Sequence, residues 1–372
     1  MMLNKAVIIP DSFKGTLSSV QVCEIIEKSI KAHFPECETL SVPFSDGGEG
    51  FAECMTKACG GKMLEMTGKG PFFEDIKCRF GLIDGGKTAV IETAEAAGIT
   101  LAAGRLDPEK TTTYGVGLMI KQAYEAGCRS VLLGLGGSCT NDGGCGAAAA
   151  LGARFFTKGG KDFIPVGGTL EEIERIELSQ DFPDISITAM CDVDIPLYGE
   201  NGAAYIFAPQ KGASPSAVKR LDKGLRHLAD KLSECIGRDV SDIRGGGAAG
   251  GLGAGVCAFM KGTLKGGTAA VLEAVGFSEI IKGADIIFTG EGKIDSQSAR
   301  GKVISGVASA SEGIPVIAFT GGIDGDISAL YKMGLTAAFA INTMPENLAS
   351  SAPKSTGNLE ATADNVMRLL SC

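Results

Sequence analysis

Clusters of acidic, hydroxyl, lysine and glycine residues follow several short apolar segments, at the point where each segment ends. The segment 5–9 (KAVII) leads into residues 11–14, and the segment 285–289 leads into residues 290–297. A third cluster, 45–50 (SDGGEG), follows another strand pattern near the N-terminus. Ligands of parallel α/β sheets bind beyond the carboxyl ends of the strands, so we expect these clusters at one sheet edge. The candidate residues are Asp11, Ser12, Lys14, Asp46, Gly47, Gly48, Glu49, Gly290, Glu291, Lys293, Asp295 and Gln297.

Two further clusters lie in the middle of the chain. One follows the apolar segment SVLLGLG and comprises Gly136, Gly137, Ser138, Thr140, Asn141 and Asp142. The other is CDVD at 191–194. Asp192 and Asp194 alternate along an extended chain and point to opposite sides, so at most one of them is expected in a site.

Together these side chains suit phosphoryl transfer. Backbone N–H groups and lysines bind phosphates, carboxylates hold Mg²⁺, and one carboxylate can take the proton of a hydroxyl group. Each residue alone also has a simpler interpretation: Asp11 and Asp46 could cap the helices that follow them, and residues 138–141 could form an ordinary turn. Taken as a set, they indicate a kinase that acts on a small molecule.

Two familiar motifs occur without the context that they need. Residues 81–88 (GLIDGGKT) match a phosphate-binding loop, but strand-like sequence on both sides predicts a hairpin turn, with Gly85 and Gly86 at positive φ and Lys87 in solvent. The match to a dinucleotide fingerprint that starts at Gly245 has no strand leading into it. His33 and His227 lie in helical patterns, so neither is expected to be catalytic.

The order of the elements predicts an α/β protein with two domains. A strand, a helix that starts at the capping box of Ser18 and Gln21, and a second strand and helix make up the N-terminal pattern. This pattern returns after a mixed central region. We therefore expect a Rossmann-like parallel-sheet domain made of residues 1–60 and 262–372, with an inserted mixed-sheet α/β domain at 61–261. The glycine-rich stretch that starts at Asp242 is the best candidate boundary, and the active site is expected in the cleft between the domains.

Composition limits the possible partners and location. The 372 residues include 44 acidic and 35 basic side chains, a net charge of −9, which argues against nucleic acid or an anionic membrane as the main partner. The 12 cysteines show no C-x-x-C spacing, and no apolar run is long enough to span a bilayer. These features, with the absence of a signal-peptide pattern, favour a cytoplasmic location.

Seven sequence blocks, in this order, resemble the bacterial glycerate kinase family: PDSFKGT, SDGGEG, GLGGSCTNDGG, CDVDIPLYG, FAPQKGA, GGAAGGLGAG and GEGKID with SQ and ARGK. The resemblance covers essentially the whole chain. It implies ATP-dependent phosphorylation of D-glycerate with Mg²⁺, favours 2-phosphoglycerate as the product, and implies one split Rossmann-like domain with a second domain inserted. One departure concerns Lys293, where the family usually has Arg, because Lys lacks the bidentate fork that grips a carboxylate.

The resemblance and the positions together suggest a role for each candidate. Lys14 and residues 136–141 are expected to hold phosphate, and Lys302 with the turn at 290–292 to bind ligand anions. Asp46 or Asp192 is expected to carry Mg²⁺, with the other, or Asp295, as the base. Lys293 or Arg300 is expected to pair with the substrate carboxylate. The alternatives are a kinase of another small hydroxy acid and a non-catalytic protein that binds an organic acid.

Overall fold

The computed structural model describes residues 3–13, 15–44, 50–179, 184–295, 298, 302–344, 346 and 348–372. The strands are β1 (Lys5–Pro10), β2 (Glu38–Ser41), β3 (Lys62–Lys69), β4 (Asp75–Ile83), β5 (Thr88–Glu92), β6 (Ser130–Gly134), β7 (Arg154–Phe156), β8 (Asp162–Phe163), β9 (Arg175–Glu177), β10 (Ser186–Met190), β11 (Thr263–Lys265), β12 (Ile286–Glu291), β13 (Val316–Thr320) and β14 (Leu335–Ala340). The helices are α1 (Ser19–His33), α2 (Phe51–Ala58), α3 (Ala94–Ala97), α4 (Tyr114–Glu125), α5 (Cys145–Ala150), α6 (Ala203–Phe207), α7 (Pro215–Ile236), α8 (Leu252–Phe259), α9 (Gly267–Ala274), α10 (Phe277–Ile280), α11 (Val303–Ser309), α12 (Ser328–Lys332), α13 (Leu348–Ser351) and α14 (Ser355–Ser371).

The chain divides into two compact units whose boundaries differ from those expected. The first unit comprises Met1–Asp46 and Gly267–Cys372, and the second comprises Gly47–Gly266. Helix α2, which we assigned to the first domain, packs on β4 and β5 of the second unit. The close approach needs Gly81 in β4, because a Cβ on Gly81 would lie 1.7 Å from Thr56 Oγ1. At the start of α2, the Glu92 carboxylate accepts the backbone N–H of Ala52 at 2.6 Å.

The first unit contains a five-stranded parallel sheet in the order β14-β13-β12-β1-β2. Both faces of the sheet are covered: Ala6 and Ile8 join the core with α1 and α14, while Val7 and Ile9 point to the opposite face and are also fully buried. The predicted capping box of α1 is confirmed, since the Gln21 N–H donates to Ser18 Oγ. The strand order changes direction between β1 and β12, where such sheets bind ligands.

The second unit contains a six-stranded mixed sheet in the order β11-β10-β6-β5-β4-β3. Strands β3, β4 and β5 pair antiparallel, and the remaining pairs are parallel. The hairpin predicted for GLIDGGKT is confirmed: residues 84–86 form the turn between β4 and β5, Gly85 and Gly86 have φ of 61° and 90°, and Lys87 is exposed. A small antiparallel sheet, β8-β7-β9, belongs to the same unit.

The glycine-rich stretch proposed as a boundary lies inside the second unit. Residues 245–251 are buried, and their backbone packs against neighbouring backbone. A Cβ on Gly247 would lie 2.2 Å from the Pro196 carbonyl oxygen, and one on Gly250 would lie 2.0 Å from the Thr140 carbonyl oxygen. The stretch lies within one compact unit because its glycines allow close packing of backbone on backbone, a use of glycine other than flexibility.

Helix α7 of the second unit is 22 residues long and rich in charged side chains. Ser214 caps its N-terminus, where the Ser214 side chain accepts the Ala217 N–H. Gly237 caps its C-terminus with a backbone conformation in the left-handed region. Its buried positions include Leu221, Leu225, Leu228 and Leu232, the spacing of one helix face. Across the described ranges, neither α7 nor any other helix combines the length and apolar character needed to cross a membrane.

Candidate active site

The loops that follow β5, β6 and β10 leave the sheet of the second unit at one edge. Glu92, Gly134 and Met190, the last residues of these strands, are in register across the sheet. The loop after β6 contains residues 136–142, and the segment after β10 contains Asp192. Within this unit, the structure therefore brings both predicted central clusters to the same edge.

Asp142 uses its carboxylate inside the second unit. One carboxylate oxygen accepts the backbone N–H of Thr113 at 2.8 Å and the Thr113 hydroxyl at 2.9 Å. The backbone N–H groups of Gly144 and Gly146 donate to the same carboxylate at 3.1 and 3.2 Å. The side chain is fully buried, and burial raises the pKa of the carboxyl group while these hydrogen bonds oppose that rise. Asp142, a predicted ligand-binding residue, thus ties the loop to the starts of α4 and α5.

In contrast to Asp142, the neighbouring polar side chains are buried without such hydrogen bonds from the described residues. Thr140 and Asn141 are fully buried, yet the Thr140 hydroxyl and both polar atoms of the Asn141 amide lack a hydrogen-bond partner among the described residues. Leaving a buried polar group unpaired costs about 1–3 kcal/mol, so native proteins usually satisfy such groups with a ligand or an ordered water. Ser138 is also buried. These three side chains, all predicted from the sequence, have the properties of ligand-binding groups.

Lys211 is a member of this cluster that the sequence analysis did not assign. Its ammonium group donates to Ser138 Oγ at 2.9 Å and to the Thr140 carbonyl oxygen at 2.7 Å. Only 2% of the residue is exposed, and burial lowers the pKa of its ammonium group to about 8, although Cys139 and Asp142 act in the opposite direction. In the sequence, only its place in the block FAPQKGA could have indicated a role in the site. A lysine in a polar stretch otherwise looks like a surface residue.

Thr93 is a second residue that the sequence analysis missed. It directly follows β5, and its backbone N–H donates to the Gly134 carbonyl oxygen at 2.9 Å. Its hydroxyl group is buried and lacks a partner in the part of the chain that the structure describes. The sequence offered no signal for it, because a single threonine at the end of a strand has no distinctive spacing.

Asp192 and Asp194 have different surroundings. Asp194 forms an ion pair with Arg244 at 2.7 Å, and the hydrogen bond from Arg244 lowers the pKa of the Asp194 carboxyl group. Asp192 is exposed on the segment after β10 and is the candidate metal ligand of the two. Within the described ranges, there is no group of three His, Cys, Asp or Glu side chains that could hold a metal ion. Mg²⁺ in phosphoryl-transfer sites commonly uses one or two carboxylates with phosphate oxygens, so a single carboxylate fits this chemistry.

In the first unit, Asp11, Ser12, Gly290 and Glu291 lie together where the strand order changes direction. Pro10 pairs with Gly290 in the sheet, and the Asp11 N–H donates to the Gly290 carbonyl oxygen at 2.8 Å. The Ser12 N–H donates to Asp11 Oδ1 at 2.6 Å. Asp11 and Glu291 are both buried. The structure therefore brings together the predicted residues after β1 and β12.

The segment after β12 places three more candidates near one another. Lys302 Nζ lies 4.0 Å from Asp295 Oδ1, and the Asp295 backbone N–H donates to Ser298 Oγ at 3.1 Å. Lys293 forms an exposed ion pair with Asp324 at 2.7 Å, and this hydrogen bond raises the pKa of the Lys293 ammonium group. An exposed pair of this kind is worth little free energy, so a ligand carboxylate can compete for Lys293.

Seven predicted site residues lie outside the described residues: Lys14, Asp46, Gly47, Gly48, Glu49, Gln297 and Arg300. Gly136 and Gly137 lie on the β6 loop, and the Gly137 carbonyl oxygen accepts the Ile99 N–H. His33 Nε2 lies 2.7 Å from Asp364 Oδ1, and His227 Nε2 lies 2.7 Å from the Ile173 carbonyl oxygen. Both histidines lie within helices, as expected.

Comparisons with known proteins agree with these features. The family model of the glycerate kinase family matches residues 6–371. The chain is 42% identical over 368 residues to a glycerate kinase of Bacillus cereus, with 97% of each chain covered. It is 41% identical over 345 residues to the glycerate 2-kinase of Escherichia coli K12, with 91% of each chain covered.

A solved structure supports the same relationship. The crystal structure of a protein assigned as glycerate kinase 2 from Salmonella typhimurium LT2 is similar with a TM-score of 0.87 and 36% sequence identity. The similarity covers 99% of this chain and 98% of that chain. The match of the family model over nearly the whole chain, with relatives near 40% identity, leads to one conclusion: the chain belongs to the glycerate kinase family.

Proposed function

We propose that this glycerate kinase family member transfers the γ-phosphoryl group of ATP to D-glycerate, with Mg²⁺, and forms ADP and 2-phosphoglycerate. Family membership and the relative named glycerate 2-kinase support the reaction and the position of transfer. The observation that carries the proposal is the buried cluster of Lys211, Ser138 and Asn141, which combines a positive charge with an Asn141 amide that lacks a hydrogen-bond partner among the described residues. Such a combination suits an anionic ligand.

The loop after β6 is the proposed phosphate site. Backbone N–H groups of a glycine-containing loop and the side chains of Ser138 and Asn141 can donate to phosphate oxygens. Lys14 is proposed to add a second positive charge. Phosphoryl transfer depends mainly on holding the phosphates and balancing their charge, so a preorganised loop of this kind supplies most of what the reaction needs.

The carboxylates are proposed to divide two tasks. Asp46 or Asp192 binds Mg²⁺, which when bound neutralises charge on the phosphate oxygens. The other carboxylate, or Asp295, accepts the proton of the glycerate hydroxyl group as that oxygen attacks phosphorus. Lys302 and the turn at 290–292 are proposed to bind ligand anions, and Lys293 or Arg300 to pair with the glycerate carboxylate. That both units contribute to one active site, in a cleft between them, stays a prediction.

A cytoplasmic location is part of the same proposal. All twelve cysteines are free thiols, as is usual for proteins of a reducing compartment. ATP and D-glycerate are the proposed small-molecule partners.

A substrate panel tests the proposed reaction. ADP formation would be measured with D-glycerate, L-glycerate, lactate and tartronate, and we expect turnover to be fastest with D-glycerate. Faster turnover of another acid would favour a kinase of a different hydroxy acid, and binding without turnover would favour a non-catalytic protein. Adding enolase without a mutase distinguishes the products, because only 2-phosphoglycerate is its direct substrate.

Substitution of the three carboxylates tests the assigned roles. We expect Asp46→Asn, Asp192→Asn and Asp295→Asn to include at least one variant whose kcat falls by about 10²–10⁴-fold, the usual contribution of a general base. A variant that lost metal binding would be partly rescued by raising the Mg²⁺ concentration. Three variants with turnover near wild type would contradict the assignment.

A further inference from the structure

The ammonium group of Lys211 lies in the interior of the second unit, next to the loop at 138–142. After α6, a single 3₁₀ turn at Pro209–Lys211 ends at Gly212, which has φ of 95°. The backbone of Gly212 packs on Leu106, because a Cβ on Gly212 would lie 2.5 Å from the Leu106 carbonyl oxygen. This packing holds the turn in place and leaves the Lys211 side chain almost completely buried, with 2% of the residue exposed.

The two hydrogen bonds of Lys211 hold the loop on both sides of Cys139. Nζ donates to Ser138 Oγ at 2.9 Å and to the Thr140 carbonyl oxygen at 2.7 Å. An ammonium group has three donors and no acceptor, so Ser138 Oγ must act as the acceptor in this contact. The Ser138 hydroxyl hydrogen is therefore available as a donor to another group.

The charge of Lys211 is not balanced by an ion pair in the described parts of the chain. No carboxylate oxygen of these residues lies within 4.0 Å of Nζ, although buried charges are usually paired. The titratable groups that face it are Cys139 and Asp142, and the Asp142 carboxylate is already the acceptor of several hydrogen bonds. The neighbouring Asn141 amide is fully buried and lacks a partner among the described residues, which independently indicates that a ligand completes this cluster.

We propose that Lys211 is a positioning residue that holds the Ser138–Thr140 turn and supplies the positive charge with which this loop binds an anionic group of the substrates. The group is a phosphate of ATP or the carboxylate of the acceptor, and the inference rests on the proposed function. Burial lowers the pKa of Lys211 to about 8, so the charge is present at neutral pH and is lost as the pH rises above 8. Binding of the anion should weaken over the same pH range.

Lys211→Met tests this role, since Met keeps most of the volume and removes the charge. We expect the KM for either ATP or D-glycerate to rise by about ten- to a hundredfold at pH 7.5, the range for a lost charged hydrogen bond, with a smaller change in kcat. In the wild type, the same KM should rise between pH 7.5 and 9.5, and in Lys211→Met it should not vary with pH. The affected substrate identifies the anion: ATP indicates phosphate, and D-glycerate indicates carboxylate.

Two further variants separate positioning from a structural role. Lys211→Arg retains a positive charge at every pH tested. Its KM should therefore not rise toward pH 9.5, and we expect it to stay near the value of the wild type at neutral pH. Lys87→Met, on the exposed hairpin turn, should leave both KM values and their pH dependence unchanged. If Lys211→Met and Lys211→Arg only lower the melting temperature, while the surviving enzyme keeps the wild-type pH dependence of KM, the proposal is overturned.

A binding measurement distinguishes a failure of this inference from a failure of the proposed reaction. Calorimetric titration of the wild type and Lys211→Met with ATP alone, and with D-glycerate alone, needs no turnover. A pH-dependent affinity in the wild type that disappears in the variant would support the role of Lys211 even if D-glycerate were not phosphorylated. Affinities that are equal in the two proteins at both pH values would overturn the inference even if the enzyme were a glycerate kinase.

Discussion

The carboxylate of Asp142 accepts both the backbone N–H and the hydroxyl group of Thr113, at 2.8 and 2.9 Å, inside the second unit. The two residues are 29 positions apart, and their contact joins the candidate phosphate loop to the start of α4. The position of this loop therefore depends on hydrogen bonds that the protein makes with itself.

Asp142→Asn should destabilise the protein. The Asn amide would place an NH₂ group or a weaker acceptor opposite the N–H and O–H groups that donate to the carboxylate. We therefore expect a loss of about 2–4 kcal/mol in the free energy of unfolding. Urea unfolding at pH 7 measures this loss. Asp84→Asn is the matched control, because Asp84 is exposed on the hairpin turn at φ 50°, where Asn is well tolerated. Equal stability of the two variants would contradict the structural role of Asp142.

Gly250→Ala should displace the loop that contains Thr140. A Cβ at Gly250 would lie 2.0 Å from the Thr140 carbonyl oxygen, the same oxygen that accepts a hydrogen bond from Lys211. We expect at least a tenfold loss of kcat/KM together with reduced stability. Gly237→Ala is the control, since Gly237 has a similar φ of 72° but no atom of the described residues would lie within 4 Å of the added Cβ. An alanine in the left-handed region costs about 1–2 kcal/mol of backbone strain, and both variants carry this cost. The two variants should therefore differ more in kcat/KM than in strain.

Lys87→Ala should leave the KM for ATP within twofold of the wild type. Lys87 matches the lysine of a phosphate-binding loop in the sequence, but it lies on an exposed hairpin turn between antiparallel strands. Lys14→Ala, at the predicted phosphate-binding lysine, should raise that KM at least tenfold. The reverse result, with Lys87 sensitive and Lys14 insensitive, would reinstate the hypothesis of a phosphate-binding loop at residues 81–88.

Lys211 should also affect the dependence of stability on pH. Burial lowers the pKa of Lys211 from 10.5 to about 8, so between these pH values the unfolded chain binds more protons at this residue than the folded protein. The free energy of unfolding therefore rises with pH in this range, while below pH 8 the cost of burying the charge is present in full. The wild type should gain about 1–2 kcal/mol relative to Lys211→Met between pH 7 and 9.5. Urea unfolding of both proteins at the two pH values measures this gain, and a constant difference would contradict the lowered pKa.

Several features were predictable because they depend on residues close together in the chain. The capping box needs only Ser18 and Gln21, and the hairpin needs only the turn residues between two strand patterns. The parallel strands β1 and β12 followed from short buried apolar segments. The family resemblance was also accessible, because it rests on many motifs in a given order and requires no knowledge of contacts.

Other features depend on contacts between distant residues, which no local pattern reports. Lys211 and Ser138 are 73 positions apart, and only packing determines that this lysine is buried and bonded to the loop. The same holds for the hydrogen bonds between the Asp142 carboxylate and Thr113, 29 positions away. It also holds for α2, which belongs to the second unit because Thr56 packs closely on Gly81 of β4. The sequence by itself determined the kinds of element, the family and most candidate residues. The tertiary structure decided which buried polar groups have hydrogen-bond partners among the described residues and which do not, because burial and hydrogen bonding are properties of the assembled fold.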